Sequence, residues 1–250
     1  MEYLYRRNTV FEALRAGRRV IKRLWLQKGV QQPQELVEAA KSLSIPIQTA
    51  DKQHLTQLAG DKGHQGVVLE VGPYPYCQIQ EMLTLAASRG ERPLLLLFDL
   101  LHGPQNIGTL LRAAEACGVH GIILQDRRAP DITPSVVIFS AGAAEHLLIA
   151  QITNLTQTIQ WLKTEGIWIV GLDLDEEAMP LDQVDLDIPL GIVIGHEGQG
   201  LRRLVRENCD YLVMLPMRGQ VASLNAATAG AVMLYSAWQA RGYEGAHSNS

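Results

Sequence analysis

The 250-residue sequence predicts an α/β protein in two parts: a small α/β unit, then a larger one built on a mostly parallel sheet covered by helices. Three observations carry this. From residue 93 onward, short apolar runs alternate with amphipathic stretches, the pattern of strand and helix in turn. Leu94–Phe98 is wholly apolar, as a strand covered on both faces requires. Between the parts, Gly72-Pro73-Tyr74-Pro75-Tyr76 breaks all periodicity, because two prolines in three residues forbid a helix. The chain therefore divides into a first domain over 1–74, a linker over 75–92 with a helix inside it at about 78–89, a second domain over 93–244 and a tail over 245–250.

In the first part, Asn8 is placed to cap a helix that runs to Ala16 and is closed by Gly17. Lys22–Gln27 reads as a strand and Pro33–Leu43 as a helix with proline in its first turn. Ile45–Thr49 is a short strand, Asp51 caps a helix ending before Gly60, and Gly66–Val71 is a strand. In the second part, strands are expected at Leu94–Phe98, Gly121–Leu124, Leu147–Ile152, Ile167–Leu172, Gly191–Gly195 and Tyr211–Leu215. Helices are expected at Asn106–Cys117, 154–165, 200–207 and 223–240, and the tail 245–250 is expected to lack order.

The bulk composition is that of a globular chain, with 47% apolar and 19% charged residues. Cys77, Cys117 and Cys209 are odd in number, far apart and without a CxxC spacing, which fits a reducing compartment. No charged segment followed by an apolar run opens the chain, so a cytoplasmic location is expected. The uncharged stretch between Arg218 and Arg241 is long enough to span a bilayer. It is rich in alanine and carries several polar side chains, so a buried soluble helix is the better reading and no membrane association is expected. The seven histidines form no ligand-spaced pair, so no metal site is expected.

Charge is unevenly placed. Residues 1–90 hold 12 Lys and Arg against 8 Asp and Glu, leaving +4, while the remainder holds 10 against 18, leaving −8. A basic first part on an acidic body suits an anionic partner, and equally a solvated face. Arg6, Arg7, Arg15, Arg18, Arg19, Lys22 and Arg23 lie close together early in the chain and could contact phosphate.

Three segments of the second part carry chemistry. In Asn106–Cys117, Ile107, Leu110, Leu111 and Ala114 form one apolar stripe, and Gly108, Arg112 and Glu115 share another face. Arg112 could be presented to a substrate with Asn106 orienting it, or Asn106 could be an N-cap and Arg112–Glu115 a surface pair. Gly195-His196-Glu197-Gly198-Gln199-Gly200 follows an apolar strand, and its glycines let backbone approach a ligand closely. It has neither the GxGxxG spacing of a dinucleotide cradle nor the GK[ST] ending of a P-loop, which weighs against a nicotinamide dehydrogenase. Leu215-Pro216-Met217 leads to Ser223-Leu224-Asn225, where Ser223 is a plausible N-cap. The helix after it is so rich in small residues that it must pack closely, in its own core or against a twin subunit.

Taken together, these segments resemble the three motifs of the SpoU (TrmH-like) family of RNA ribose methyltransferases. The pattern N-x-G-x-x-x-R stands as Asn106, Gly108 and Arg112. The pattern G-x-E-G-x-G stands as Gly195, Glu197, Gly198 and Gly200, and the last as Leu215-Pro216-Met217 with Ser223-Leu224-Asn225. Asn8–Leu14 and His64–Val68 resemble the family's small N-terminal substrate-binding domain, which is similar to ribosomal protein L30e. Within the family the chain looks most like the enzymes that methylate a guanosine of 23S rRNA in the peptidyl transferase loop, with tRNA enzymes and a non-catalytic RNA-binding homologue as rivals.

The resemblance implies an α/β fold with a deep trefoil knot, an exception to the general rarity of knots. It implies S-adenosylmethionine as cofactor, lined by Gly195, Leu215, Leu224 and Met217. It implies an RNA substrate, not DNA, and a homodimer that brings residues of one subunit to the cofactor of the other. Arg112 takes the place of the family's general base, with Asn106, Glu197, Ser223 and Asn225 positioning it, the ribose and the phosphate. Making a free arginine neutral at pH 7 costs roughly 7 kcal/mol, so Arg112 is either deprotonated transiently or stays charged and stabilises the developing oxyanion.

Overall fold

The computed structural model describes residues 1–126, 131–175, 178–221 and 223–246. Of the expected disordered tail, residues 247–250 lie outside the described residues. The first elements are β1 (Glu2–Tyr5), α1 (Arg7–Ala16), β2 (Ile21–Gln27), α2 (Gln34–Ser42), β3 (Ile47–Ala50), α3 (Lys52–Ala59) and β4 (Val67–Val71). There follow α4 (Ile79–Arg89), β5 (Leu94–Phe98), α5 (Pro104–Ala116), β6 (Gly121–Gln125), α6 (Pro134–Phe139), a 3-10 turn at Ala143–His146 and β7 (Ile149–Ile152). The chain continues with α7 (Leu155–Thr164), β8 (Trp168–Leu172), β9 (Met179–Pro180), a 3-10 turn at Leu181–Gln183, β10 (Leu190–Ile194), α8 (Arg203–Arg206), β11 (Tyr211–Met214) and α9 (Ala226–Ala240).

The chain forms two compact units. The first comprises Met1–Pro75 together with Ile132–His146, and the second comprises Tyr76–Asp131 together with residues from Leu147 onward. Two assignments thereby depart from the sequence reading. Residues 76–92 are not a free linker, since Met82 of α4 is fully buried in the same apolar cluster as Leu95, Leu97 and Ile123. The segment 132–146 leaves the second part and packs in the first unit.

The first unit holds a four-stranded sheet in the order β1-β4-β2-β3. Its β1–β4 and β4–β2 pairs are antiparallel, and β2–β3 is parallel. Strand β1 escaped the sequence reading because a four-residue run at the chain start has no turn signal before it to frame it. Asp51 caps α3 as expected, accepting from the His54 amide at 2.7 Å, and Gly17 closes α1 with φ 60°. Asn8 does not cap α1. The cap position is Arg6 and makes no side-chain cap bond, while Asn8 lies inside the first turn.

The second unit holds a seven-stranded sheet in the order β7-β6-β5-β10-β8-β11-β9, every pair parallel. Strands β5, β6 and β10 are buried along their whole length, which is why their sequences do not alternate. Leu95, Leu97, Ile169 and Val193 pack on one side with Ile159 and Leu162 of α7 and Met82 of α4. A side-chain carbon at Gly121 would meet Met82 Sδ at 2.1 Å, so glycine there lets α4 lie close on the sheet. Elsewhere α9 packs beside α5, and a carbon at Gly230 would come within 2.5 Å of Leu110 and 3.3 Å of Ile194. The small residues of α9 therefore serve close packing within this chain. Among the described residues no helix is long and apolar enough to cross a membrane, and α9 is a 15-residue helix packed on α5.

Candidate active site

Ligands of open parallel sheets bind at the carboxyl ends of the strands, and all three motifs meet there in the second unit. The chain leaves β10 at Gly195, turns back on itself and returns at Gly200. The His196 amide donates to Gly200 O and the Gly200 amide to His196 O, both at 3.0 Å. Gly198 and Gly200 have φ 86° and 66°, which L side chains rarely adopt. A side-chain carbon at Gly195 would lie 2.4 Å from the Gly200 backbone, so the loop cannot close around any larger residue.

At the tip of this loop stands Glu197. Asn106 Nδ2, on the first turn of α5, donates to Glu197 Oε2 at 2.9 Å. Asn225 Nδ2, just before α9, donates to Glu197 Oε1 at 2.9 Å and to Asn106 Oδ1 at 3.1 Å. The orientation of the Asn225 amide follows from its other end, because Oδ1 accepts from the Ala227 amide at 2.8 Å and the Thr228 amide at 3.3 Å. Asn225 is thus the N-cap of α9, and the expectation of Ser223 in that role is corrected. One helix-cap oxygen fixes an amide that in turn fixes a carboxylate. Asn106 is likewise no cap: α5 is capped at Gly103 with Pro104 following, and the Asn106 side chain is free to reach across.

A second clamp was not foreseen. Asp99, directly after β5, is fully buried. It accepts from the Arg202 backbone amide at 2.8 Å and from Arg202 Nε at 2.6 Å. The same guanidinium donates to Gln125 Oε1, at the end of β6, at 2.8 Å. Arg202 therefore ties the far end of the glycine loop to the ends of two neighbouring strands. An aspartate at the end of an all-apolar strand was the only signal in the sequence.

The loop, the end of β8 and the segment leading to α9 enclose a cleft of about 560 Å³. Gly195, Glu197, Leu215, Met217, Ser223, Leu224 and Asn225 all line it, so every cofactor-lining candidate falls in one place. Leu172 and Ile194 complete its apolar wall, and neither was singled out beforehand. His102 stands edge-on to His196 with ring centroids 5.4 Å apart. Arg112 is different. It is exposed on α5, does not line the cleft, and makes no ion pair or hydrogen bond with a described residue, Glu115 included. It lies six residues beyond Asn106, about 9 Å along the helix axis at 1.5 Å per residue.

Residues 93–235 match the model of the SpoU rRNA methylase family, and residues 3–77 match that of the RNA 2′-O ribose methyltransferase substrate-binding domain. The chain belongs to the SpoU rRNA methylase family. Its relatives within the TrmH family of tRNA/rRNA methyltransferases include YacO of Bacillus subtilis (strain 168), 38% identical over 242 residues that cover 96% of each chain. A Staphylococcus saprophyticus protein of the same family is 37% identical over 241 residues, again 96% of each. Among solved structures, the SpoU methyltransferase AviRb of Streptomyces viridochromogenes in complex with the cofactor AdoMet superposes with a TM-score of 0.80 at 25% identity, over 96% of this chain and 90% of that one. This SpoU-family RNA methyltransferase therefore places its glycine loop and α9 cap around a single cleft, with a substrate-binding domain ahead of it.

Proposed function

We propose that this SpoU methyltransferase transfers a methyl group from S-adenosylmethionine to the 2′-hydroxyl of a guanosine in the peptidyl transferase loop of 23S rRNA, as a cytoplasmic homodimer with the family's trefoil knot. The observation that carries the reading is the Glu197 carboxylate, held at both oxygens by Asn106 and Asn225 beside an apolar cleft. That cleft suits the cofactor. Leu172, Leu215, Met217 and Leu224 offer apolar surface for a base and a thioether chain. Gly195 keeps side-chain bulk away from the loop backbone, whose polar groups are then close enough to bond a ligand. When bound, S-adenosylmethionine supplies a methyl group already activated by a positively charged sulfur. What remains for the protein is alignment and the removal of one proton. Glu197, Asn106 and Asn225 hold the rim of the cleft, with Ser223 beside them.

Arg112 is assigned to the ribose oxygen, where an exposed guanidinium offers charge and donors to a developing oxyanion. It stands away from its own cleft, which supports service at the cleft of a second subunit. The exposed apolar face of α9, with Val232 43% and Tyr235 53% exposed, supports such a twin.

Labelled S-adenosylmethionine offered with unmodified 23S rRNA, and separately with bulk tRNA, tests the reaction. Formation of 2′-O-methylguanosine in the rRNA alone is the expected result. Label confined to tRNA overturns the substrate, and label in neither overturns the activity. Arg112→Ala is expected to reduce turnover to background while cofactor affinity stays within a few fold, since the residue is exposed and outside the cleft. Mixing Arg112→Ala with Gly195→Ala subunits should restore about a quarter of the activity, because half the dimers carry one intact composite site. No recovery would place Arg112 in its own subunit's site.

A further inference from the structure

The basic residues of the first unit are not equivalent. Arg19 is fully buried between Glu2 and Glu145 and lies over the Tyr74 ring. Arg18 reaches Tyr74 and Pro75, Arg15 pairs with Glu12, and Arg23 bonds Gln48 and lies over Trp25. Counting Arg7, which bonds Gln32 and the Gln31 carbonyl, five of the seven early cations singled out for phosphate contact thus have partners inside the protein. Arg6 and Arg7 open onto a cavity of about 700 Å³, where Lys52 and Lys62 join them. Arg6, Lys52 and Lys62 are exposed and make no ion pair with a described residue. The nearby Asp61, which accepts from Tyr5 Oη at 3.0 Å and the Gly63 amide at 2.6 Å, interacts electrostatically with Arg6 and offsets only part of this charge.

This cavity is built, not merely left over. Arg6 and Gln65 have φ 73° and 56°, conformations that cost a non-glycine residue about 1–3 kcal/mol each and gather at ligand sites. Gln65 Oε1 accepts from the Arg7 amide at 3.0 Å, and Gln32 Oε1 accepts from Arg7 Nε at 3.2 Å. Gln32 Nε2 in turn donates to Gly66 O at 3.2 Å. Buried His64 accepts the Gly66 amide on Nδ1 at 3.0 Å and faces Thr56 Oγ1 through Nε2 at 3.3 Å. Burial, then the charge of Lys52, hold its pKa below the ordinary histidine range, so it is a neutral wall. Ile138 and Ala141 close the cavity, and they come from residues 132–146, outside the substrate-binding match and inside the methylase match.

We propose that this cavity grips one unpaired nucleotide of the substrate RNA: its phosphate by Lys52, Lys62 and Arg6, its base against Val30 and Ile138 with Asn8 and Gln65 at its edge. The volume lies within the roughly 300–1,000 Å³ of clefts that take small-molecule-sized groups, and a duplex is too wide for it. Unpaired RNA bases can be splayed out and read on their edges, while arginine and lysine take the phosphate. The inference rests on the RNA-methyltransferase reading and assigns the grip to particular residues, including some contributed by the methylase half of the sequence.

The test compares two double variants of the full chain that each remove two positive charges, Lys52→Ala/Lys62→Ala in the cavity and Arg15→Ala/Lys22→Ala outside it. Binding of unmodified 23S rRNA is measured across salt concentrations, with S-adenosylmethionine binding as the check on folding. The cavity pair should weaken RNA binding by about tenfold or more and flatten the salt dependence by about one to two charges, while the outside pair changes it little. Equal weakening by both pairs would show a diffuse basic face and overturn the cavity. No weakening by the cavity pair, with wild-type RNA methylation intact, would overturn the cavity and leave the enzyme reading standing. Wild-type protein that neither binds nor methylates RNA would remove both.

Discussion

Around the cleft of the second unit, charged and amide groups satisfy one another. Glu197 has two amide donors, Asp99 has the Arg202 amide and guanidinium, and Gln125 takes another donor from that guanidinium. Around the cavity of the first unit the cations Arg6, Lys52 and Lys62 make no ion pair with a described residue, and nearby Asp61 offsets only part of their charge. Yet that same unit buries an ion-paired arginine, Arg19, in the loop after α1, held by Glu2 and Glu145 through Nη1 and Nε. Where polar groups are mutually bonded, geometry is set before a ligand arrives. Where like charges stand unpaired, the field is set and an anion completes the site.

The contrast can be broken most forcefully at Arg19. Arg19→Leu leaves the Glu145 carboxylate buried without its partner and should cost about 3–5 kcal/mol in urea unfolding. Burial already raises the Glu145 pKa, with Arg19 opposing it. Without Arg19 the carboxyl is pushed up further, so the loss should be greater at pH 8 than at pH 5. An equal loss at both would mean that Arg19 acts through packing alone.

A smaller effect is expected at the rim of the cleft. Glu197→Gln keeps the shape but turns one acceptor into a donor that faces Asn106 or Asn225. A misplacement of about 1 Å at a reacting site can cost on the order of 100-fold, so kcat should fall roughly 10–100-fold, while the exposed position of Glu197 leaves the midpoint of unfolding little changed. Wild-type kcat would show that the carboxylate's charge is not needed to hold the rim.

The smallest effect uses one histidine from each unit. His64 and His120 both accept a backbone amide on Nδ1. Both are pushed below the ordinary histidine range, chiefly by burial, with Glu91 opposing the shift at His120. A folded-state pKa below the unfolded value means the stabilisation is present above about pH 6.5 and lost as pH falls further. The thermal midpoint should therefore be lower at pH 5.5 than at pH 7.5, and His64→Gln should remove part of that dependence. A flat profile would mean that neither ring resists protonation.

Much was legible beforehand. Leu94–Phe98 declared a strand buried on both faces, Asp51 and Gly17 marked helix ends, and the three motifs pointed to one family and gathered the cleft-lining residues. Those signals are local, set by residue type, period and spacing. What only the tertiary structure decided is which polar groups meet across long stretches of chain. Asp99 and Arg202 are 103 residues apart, and Arg19 and Glu145 are 126 apart. Sequence periodicity carries no record of such pairs, so an arginine-rich stretch cannot show which of its cations are spent inside the protein. The same holds for Asn225, which took the cap from Ser223, and for residues 132–146, which joined the first unit. Each was settled by packing and by the cost of leaving a buried polar group unpaired, which depend on neighbours brought together only when the chain folds.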